Sequence, residues 1–256
     1  MITCIIQARM GSTRLPGKVM KKLTDNSKVI DFVIDQLKYS KIIEKIIVAI
    51  PDLVEDDIIY NHLRSRKIQT YRGSSRNVLD RYYQCAKNIS GSTIVRITAD
   101  CPLIDPEIVD KVIMKFIKNK FDYVANIHPR TFPYGTETEV FSFNALEAAW
   151  NGTNDDFDRE HVTPYFYKNP NKFNIGNVSQ EKNQSNYRWT VDYKNDLDFV
   201  KYVTNKIIKK PILTNDIINL IIKNPDILKI SLIMLQIYIL EHFRMELKLK
   251  YFHLTH

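Results

Sequence analysis

Apolar residues along this chain follow two alternating rhythms. Short runs rich in β-branched residues occupy 3–8 (TCIIQA), 45–50 (KIIVAI), 68–73 (IQTYRG), 92–100 (STIVRITAD) and 121–126 (FDYVAN), and each reads as a strand. Between them, apolar positions recur at helical spacing. The stretch 29–40 places Ile30, Val33, Ile34 and Leu37 on one face, and 75–89 aligns Val78, Tyr82 and Ala86. Helices are also expected over 54–66 and over 105–119, where Asp105 stands as N-cap and Pro106 at the first helical position. A further strand is expected over 187–193, followed by a helix from Asn195.

Strand alternating with helix predicts right-handed βαβ units and an α/β fold, with a doubly wound, mostly parallel sheet covered on both faces. The first half of the chain forms this layer. Residues 127–185 are less regular, with Pro129, Pro133 and Gly135 among Asn-rich loops. They are expected as a small capping insertion rather than a separate domain. One domain over 1–230 results. The tail 231–256, apolar and then mixed, reads as a packed terminal helix, a partner-binding helix or an atypical end, with no chemistry assigned.

Length and composition narrow the picture. At 256 residues and 44% hydrophobic, the chain can bury one substantial core. The formal charge of +8, from 37 basic against 29 acidic residues, suits an anionic ligand. Like charges never run in blocks of five or six, so a nucleic-acid arm has no support and nucleic acid is not expected as a partner. Three widely spaced cysteines, Cys4, Cys85 and Cys101, argue against a disulfide framework or a zinc site and point to a reduced, cytoplasmic setting. The first apolar run is short and meets Arg9 at once, unlike a secretory leader. The longest apolar stretch, 230–240, is too short to span a bilayer, so no membrane insertion is expected.

The candidate chemistry starts after the first strand. In open α/β sheets, ligands gather at the carboxyl ends of strands. There the sequence QARMGSTRLPGKVM carries Arg9, Arg14 and Lys18, with Gly11 and Gly17 permitting close backbone approach. A P-loop is excluded, because five residues separate Gly11 from Gly17 and Val19 follows Lys18; a GxGxxG fingerprint is absent. A solvated turn and a phosphate cradle both remain open on spacing alone. Asp100 falls just beyond another strand, and Asp192 lies at the carboxyl end of the stretch expected as the last one. Such a pair suits a hard cation that also takes phosphate oxygens. Asp196 and Asp198 read instead as residues of a helix start, where negative charge is favoured. Two strand-end carboxylates beside a cationic loop make a nucleotidyl-transfer constellation, dominated by positioning and charge stabilisation.

These residues resemble the cytidylyltransferase superfamily of the 3-deoxy-manno-octulosonate and acylneuraminate type. The motifs YRGSSRNVLDRYYQCA, IVRITADCPLIDPEIVD, TFPYGTETEVFSFNALEAAW and REHVTPYF are closest to its SpsF-like, spore-coat polysaccharide branch. The resemblance implies a nucleotide-diphospho-sugar transferase fold, Mg²⁺ as cofactor, and transfer of CMP from CTP to a sialic-acid-like or ulosonic acid with release of pyrophosphate. It further implies that Arg9, Ser12, Arg14 and Lys18 contact CTP, that Gln7 and Ala8 lie near the base, with Arg72 and Gly73 at its edge, and that Asp100 and Asp192 hold metal. Arg9, Lys18, Asp100 and Asp192 would then carry catalysis. Gln7 replaces a proline usual in the octulosonate enzyme, and the Ser-Gly-Thr-Asp-Arg series of that enzyme is missing. Glu137, Glu139, Arg159 and His161 suit an acceptor pocket. For these the simpler alternatives are a solvated strand face, a Glu139–Arg159 ion pair and a buried histidine. Transfer to a phosphorylated alditol or other small phosphate, a non-catalytic nucleotide-binding role, and a homodimer stay open.

Overall fold

A computed structural model describes residues 1–227, and the expectation for the tail lies outside them. In chain order the elements are β1 (Ile2–Gln7), α1 (Val29–Leu37), β2 (Lys45–Pro51), α2 (Asp57–Ser65), β3 (Gln69–Gly73), α3 (Val78–Asn88), β4 (Thr93–Thr98), α4 (Pro106–Asn119), β5 (Tyr123–Ala125), β6 (Glu139–Ser142), α5 (Phe143–Gly152), α6 (Asp156–His161), α7 (Pro164–Lys168), β7 (Ile175–Asn177), α8 (Lys194–Lys206) and α9 (Thr214–Lys223). The seven strands form one sheet in the order β3-β2-β1-β4-β6-β5-β7. β3, β2, β1 and β4 run parallel, β6 is antiparallel to both neighbours, and β5 pairs parallel with β7.

The alternation along each strand explains the layering. Cys4 and Ile6 of β1 join Val48, Ile50, Val95 and Ile97 against α1, α2 and α4. Ile5 turns the other way and packs with Ile47, Ala49 and Ile94 against α3, α5 and α7. Central parallel strands buried on both faces therefore read as near-continuous apolar runs. A third cluster, holding Trp189, Val191, Phe199, Val203 and Ile217, docks α8 and α9 beside Val29 and Leu103. Among the described residues, no helix is long and apolar enough to cross a membrane.

Two expectations need correction. Residues 187–193 form no strand; Arg188 makes one isolated bridge with Tyr134. The segment is a strap between loops: Tyr134 N–H donates to the Tyr187 carbonyl at 2.9 Å, Trp189 N–H to the Tyr134 carbonyl at 3.0 Å, and Val191 N–H to the Asp100 carbonyl at 2.8 Å. Residues 127–185 are more than a cap. They supply β6 and β7 to the sheet itself, because Val140 and Phe141 alternate between its two apolar layers.

Candidate active site

The loop after β1 is folded by its own backbone. Ser12 N–H and Gly17 N–H both donate to the Met10 carbonyl, at 2.8 and 3.2 Å, and Met10 N–H donates to Asp56 Oδ1 at 2.7 Å. Gly17 sits at φ +65°, the left-handed region where a side chain is strained, and so reverses the chain into a 3-10 turn, Lys18–Met20. That turn aims Lys18 inward. Its Nζ donates to Asp100 Oδ2 at 2.6 Å and to Asp192 Oδ1 at 2.8 Å. Arg14 Nη2 joins Asp192 Oδ1 at 2.9 Å from a more exposed position. Arg9 and Ser12 line the same cleft, whereas Gly11 faces outward beside Glu55.

Both carboxylates are fixed from behind. Ala99 N–H donates to the Gln7 carbonyl at 3.0 Å, which carries Asp100 past the end of β4 beside β1. Asp192 Oδ2 accepts from Arg188 Nη2 at 2.6 Å, and Arg188 is almost fully buried. Asp196 Oδ2 accepts from the N–H groups of Asp192 and Tyr193, at 2.8 and 2.9 Å, so it caps α8 as the helix-start reading expects. Half-buried Asp198 pairs with exposed Lys194. Burial by itself would raise the Asp100 carboxyl and lower the Lys18 ammonium. Their mutual attraction outweighs burial, holding Asp100 below and Lys18 above their usual ranges. Each stays charged at neutral pH.

Beside this cluster lies a cleft of about 220 Å³, reached by Gln7, Ala8, Arg81, Arg96, Thr98 and His161. Arg81 and Arg96 escaped the sequence reading. Arg81 is buried; its Nη1 donates to the Ser74 carbonyl at 2.6 Å, while its Nε finds no partner. Arg96 pairs with Glu139 beneath the cleft. The signals were present, since Arg81 lies one helical turn from Val78 and Arg96 falls in register with Ile94 on a strand. A charge at a buried phase needs a partner. Arg188 falls in the segment whose pattern predicts a strand, and that pattern does not show its link to Asp192 four residues on.

Several expected site residues stand elsewhere. Arg72 is turned to the sheet edge, donating to Asp52 at 2.8 Å and Asp57 at 2.5 Å and lying over the Tyr60 ring. Gly73 backs onto Arg81, where a Cβ would come within 3.1 Å of its side chain. Glu139 is buried, accepting from Arg96 and from Tyr123 Oη, so neither a solvated face nor a pair with Arg159 describes it. Arg159 donates to Asn154 Oδ1 at 2.7 Å and does not line the cleft. His161 is exposed at the rim, its ring 4.3 Å from that of Phe157, and is not a buried histidine. Glu137 lies on the β6 side of Asp100, with Oε1 accepting from Arg130 Nη1 at 2.7 Å and Oε2 from Gly135 N–H at 2.8 Å.

Two carboxylates converging on one ammonium present hard oxygen donors around a position already tuned to positive charge. Among the described residues, no group of three or more His, Cys, Asp or Glu forms a metal cage. A cation here would need further oxygens from a bound ligand, as Mg²⁺ commonly takes from phosphates.

The sheet order, the cationic loop after β1 and the paired carboxylates define an α/β protein of the nucleotidyltransferase type. Residues 3–216 match the cytidylyltransferase family profile, and the chain belongs to that family, on its SpsF-like branch, among the CTP-dependent nucleotidyltransferases. It is 32% identical over 233 residues to the spore coat polysaccharide biosynthesis protein SpsF of Bacillus subtilis, covering 88% of this chain and 95% of that one. It is 29% identical over 180 residues to the 3-deoxy-manno-octulosonate cytidylyltransferase of Thermodesulfovibrio yellowstonii, covering 66% and 64%. The solved structure of a cytidylyltransferase from Leptospira borgpetersenii superposes with a TM-score of 0.84 at 34% identity, covering 88% and 95%.

Proposed function

We propose that this protein transfers CMP from CTP to an acidic sugar of the sialic or ulosonic acid type, releasing pyrophosphate, in surface-polysaccharide biosynthesis. The observation that carries the reading is the Lys18 ammonium bound at once to Asp100 and Asp192. It joins the loop after β1 to Asp100, just past the end of β4, and to Asp192 on the strap 187–193, at the edge of an open cleft. The names of the Bacillus and Thermodesulfovibrio relatives support a glycan role and an acidic acceptor.

In this reading Arg9, Arg14 and Lys18 hold the triphosphate, and their charge offsets the negative charge that builds on the departing pyrophosphate. Asp100 and Asp192 would hold Mg²⁺, which the convergent oxygen donors fit. That ion would supply Lewis-acid charge stabilisation at the phosphates. Gln7, Ala8 and Arg81 border the cleft on the β1 and α3 side and orient the nucleoside. An acceptor on the β6 side of Asp100 then places its hydroxyl opposite the pyrophosphate, and the displacement depends on alignment rather than on a covalent intermediate.

Pyrophosphate release tests this with four nucleoside triphosphates against acidic, neutral and phosphorylated sugars. Release is expected with CTP and acidic sugars. Turnover restricted to a phosphorylated alditol, or CTP binding without turnover on any acceptor, would overturn the proposal.

A further inference from the structure

With Glu139 buried, Arg159 outside the cleft and His161 at the rim of the nucleotide side, none of the expected residues supplies the cation that an acidic sugar requires. The loop between β5 and β6 contains one. Arg130 Nη1 donates to Glu137 Oε1 at 2.7 Å, and the guanidinium lies 3.9 Å from the centroid of the Tyr134 ring. Stacking and one ion pair fix the plane of the fork, and among the described residues no other acceptor for Arg130 is recorded. The rest of the fork stays open to a ligand. A planar cation with one edge committed and the other free suits a carboxylate, which it binds through two parallel N–H···O bonds.

The loop is tied to both candidate carboxylates. Glu137 Oε2 and Asp100 Oδ1 flank the buried Cys101 thiol at 3.7 and 3.6 Å. Tyr134 is bonded through its N–H and carbonyl to Tyr187 and Trp189, on the strap that carries Asp192. Gly135, at φ +98°, lets the backbone pass where a Cβ would come within 2.8 Å of Trp189. Asn126 secures the loop from inside, accepting from Thr138 N–H at 2.9 Å and donating to the Thr136 carbonyl at 2.8 Å. Arg130 is thus tied through Glu137 to the segment that carries Asp100, and through the Tyr134 loop to the strap that carries Asp192.

We infer that Arg130, levelled on Tyr134 and anchored by Glu137, binds the carboxylate of the acceptor sugar and sets the preference for acidic sugars. This rests on the proposed transfer to an acidic sugar. Glu137 becomes a positioning residue, holding one edge of Arg130 while the other meets substrate.

The test uses the full-length protein with N-acetylneuraminate, 3-deoxy-manno-octulosonate and the carboxamide of each, in wild type, Arg130→Met and Arg130→Lys. Arg130→Met should lower kcat/KM for the acid about 10- to 100-fold, mainly through acceptor KM, in line with the loss of a charge-assisted hydrogen-bonded pair. CTP affinity and melting temperature should stay near wild type, and the preference for acid over carboxamide should collapse. Arg130→Lys should recover part of the loss. An unchanged acid-to-amide preference in Arg130→Met, or a loss shared equally with CTP affinity and melting temperature, would overturn the assignment while leaving acidic-sugar transfer intact. If wild type turns over neither acid, the parent proposal fails and this one with it.

Discussion

Arg188→Met tests whether the catalytic geometry hangs on a buried cation that never faces the cleft. Arg188 has 1% of its side chain exposed, and its Nη2 lies 2.6 Å from Asp192 Oδ2 and 3.4 Å from Asp196 Oδ2. Lys18 and Arg14 both take Asp192 Oδ1, so the substitution strips Oδ2 of its recorded partner. Breaking a buried pair by removing one member costs about 3–5 kcal/mol. Asp192 keeps two cations on Oδ1 and Asp196 keeps its two backbone donors, so the lower end, about 3 kcal/mol, applies here. At roughly 2–4 °C per kcal/mol for a domain of this size, melting should fall by about 6–12 °C. With Oδ2 unheld, the Asp192 carboxylate should turn about its Oδ1 contacts and shift Lys18 and Arg14 with it, weakening CTP binding measured by calorimetry. Arg188→Lys should fall between the two. A melting shift under about 2 °C with normal CTP affinity would refute the view that Arg188 sets Asp192.

Other consequences follow from neighbouring groups. Glu139 is held below the usual carboxylate range, since Arg96 and Tyr123 outweigh the burial that would raise it. Its contribution to stability is therefore complete above about pH 4.3 and fades as pH falls through its lowered value. Glu139→Gln should be destabilised at pH 7, with the gap to wild type in denaturant midpoint narrowing toward pH 3; a gap constant with pH contradicts this. Gly135→Ala forces a side chain into a left-handed conformation against Trp189, so stability should drop by about 1–3 kcal/mol, read by thermal melting, and acceptor KM should rise. Asp105 caps α4 by accepting from Glu107 N–H at 2.9 Å and also accepts from Thr214 N–H at 2.8 Å, so Asp105→Ala should cost about 1–3 kcal/mol in chemical denaturation. Arg159→Ala should leave pyrophosphate release within twofold of wild type, because its only recorded hydrogen bond among the described residues is to Asn154; a larger loss would return Arg159 to the acceptor site.

The parallel half of the fold was legible because its signals are local. Runs such as TCIIQA must be buried on both sides, and Asp105-Pro106 marks a helix start whatever surrounds it. The opening loop was legible for the same reason, since chain position after β1 confines its cations to the strand ends. The strap 187–193 was misread because its alternation matches a strand while its partners, Tyr134 and Asp100, lie far away in sequence. β6 was absorbed into an irregular segment because four residues give too short a period to recognise. The acceptor side was hardest to read. Whether Glu137 or Glu139 faces a ligand depends on which finds an arginine, and Arg96 reaches Glu139 only across the β4–β6 pairing.

The central claim is that Asp100 and Asp192, bridged by Lys18, power CTP-dependent transfer to an acidic sugar. The most direct measurement is pyrophosphate release with CTP, Mg²⁺ and an acidic sugar by wild type and Asp100→Asn, with CTP binding measured on the same samples. The account predicts turnover by wild type and, in the variant, CTP binding retained within about tenfold while turnover falls by at least about 10³-fold. Wild-type rates in Asp100→Asn would contradict it.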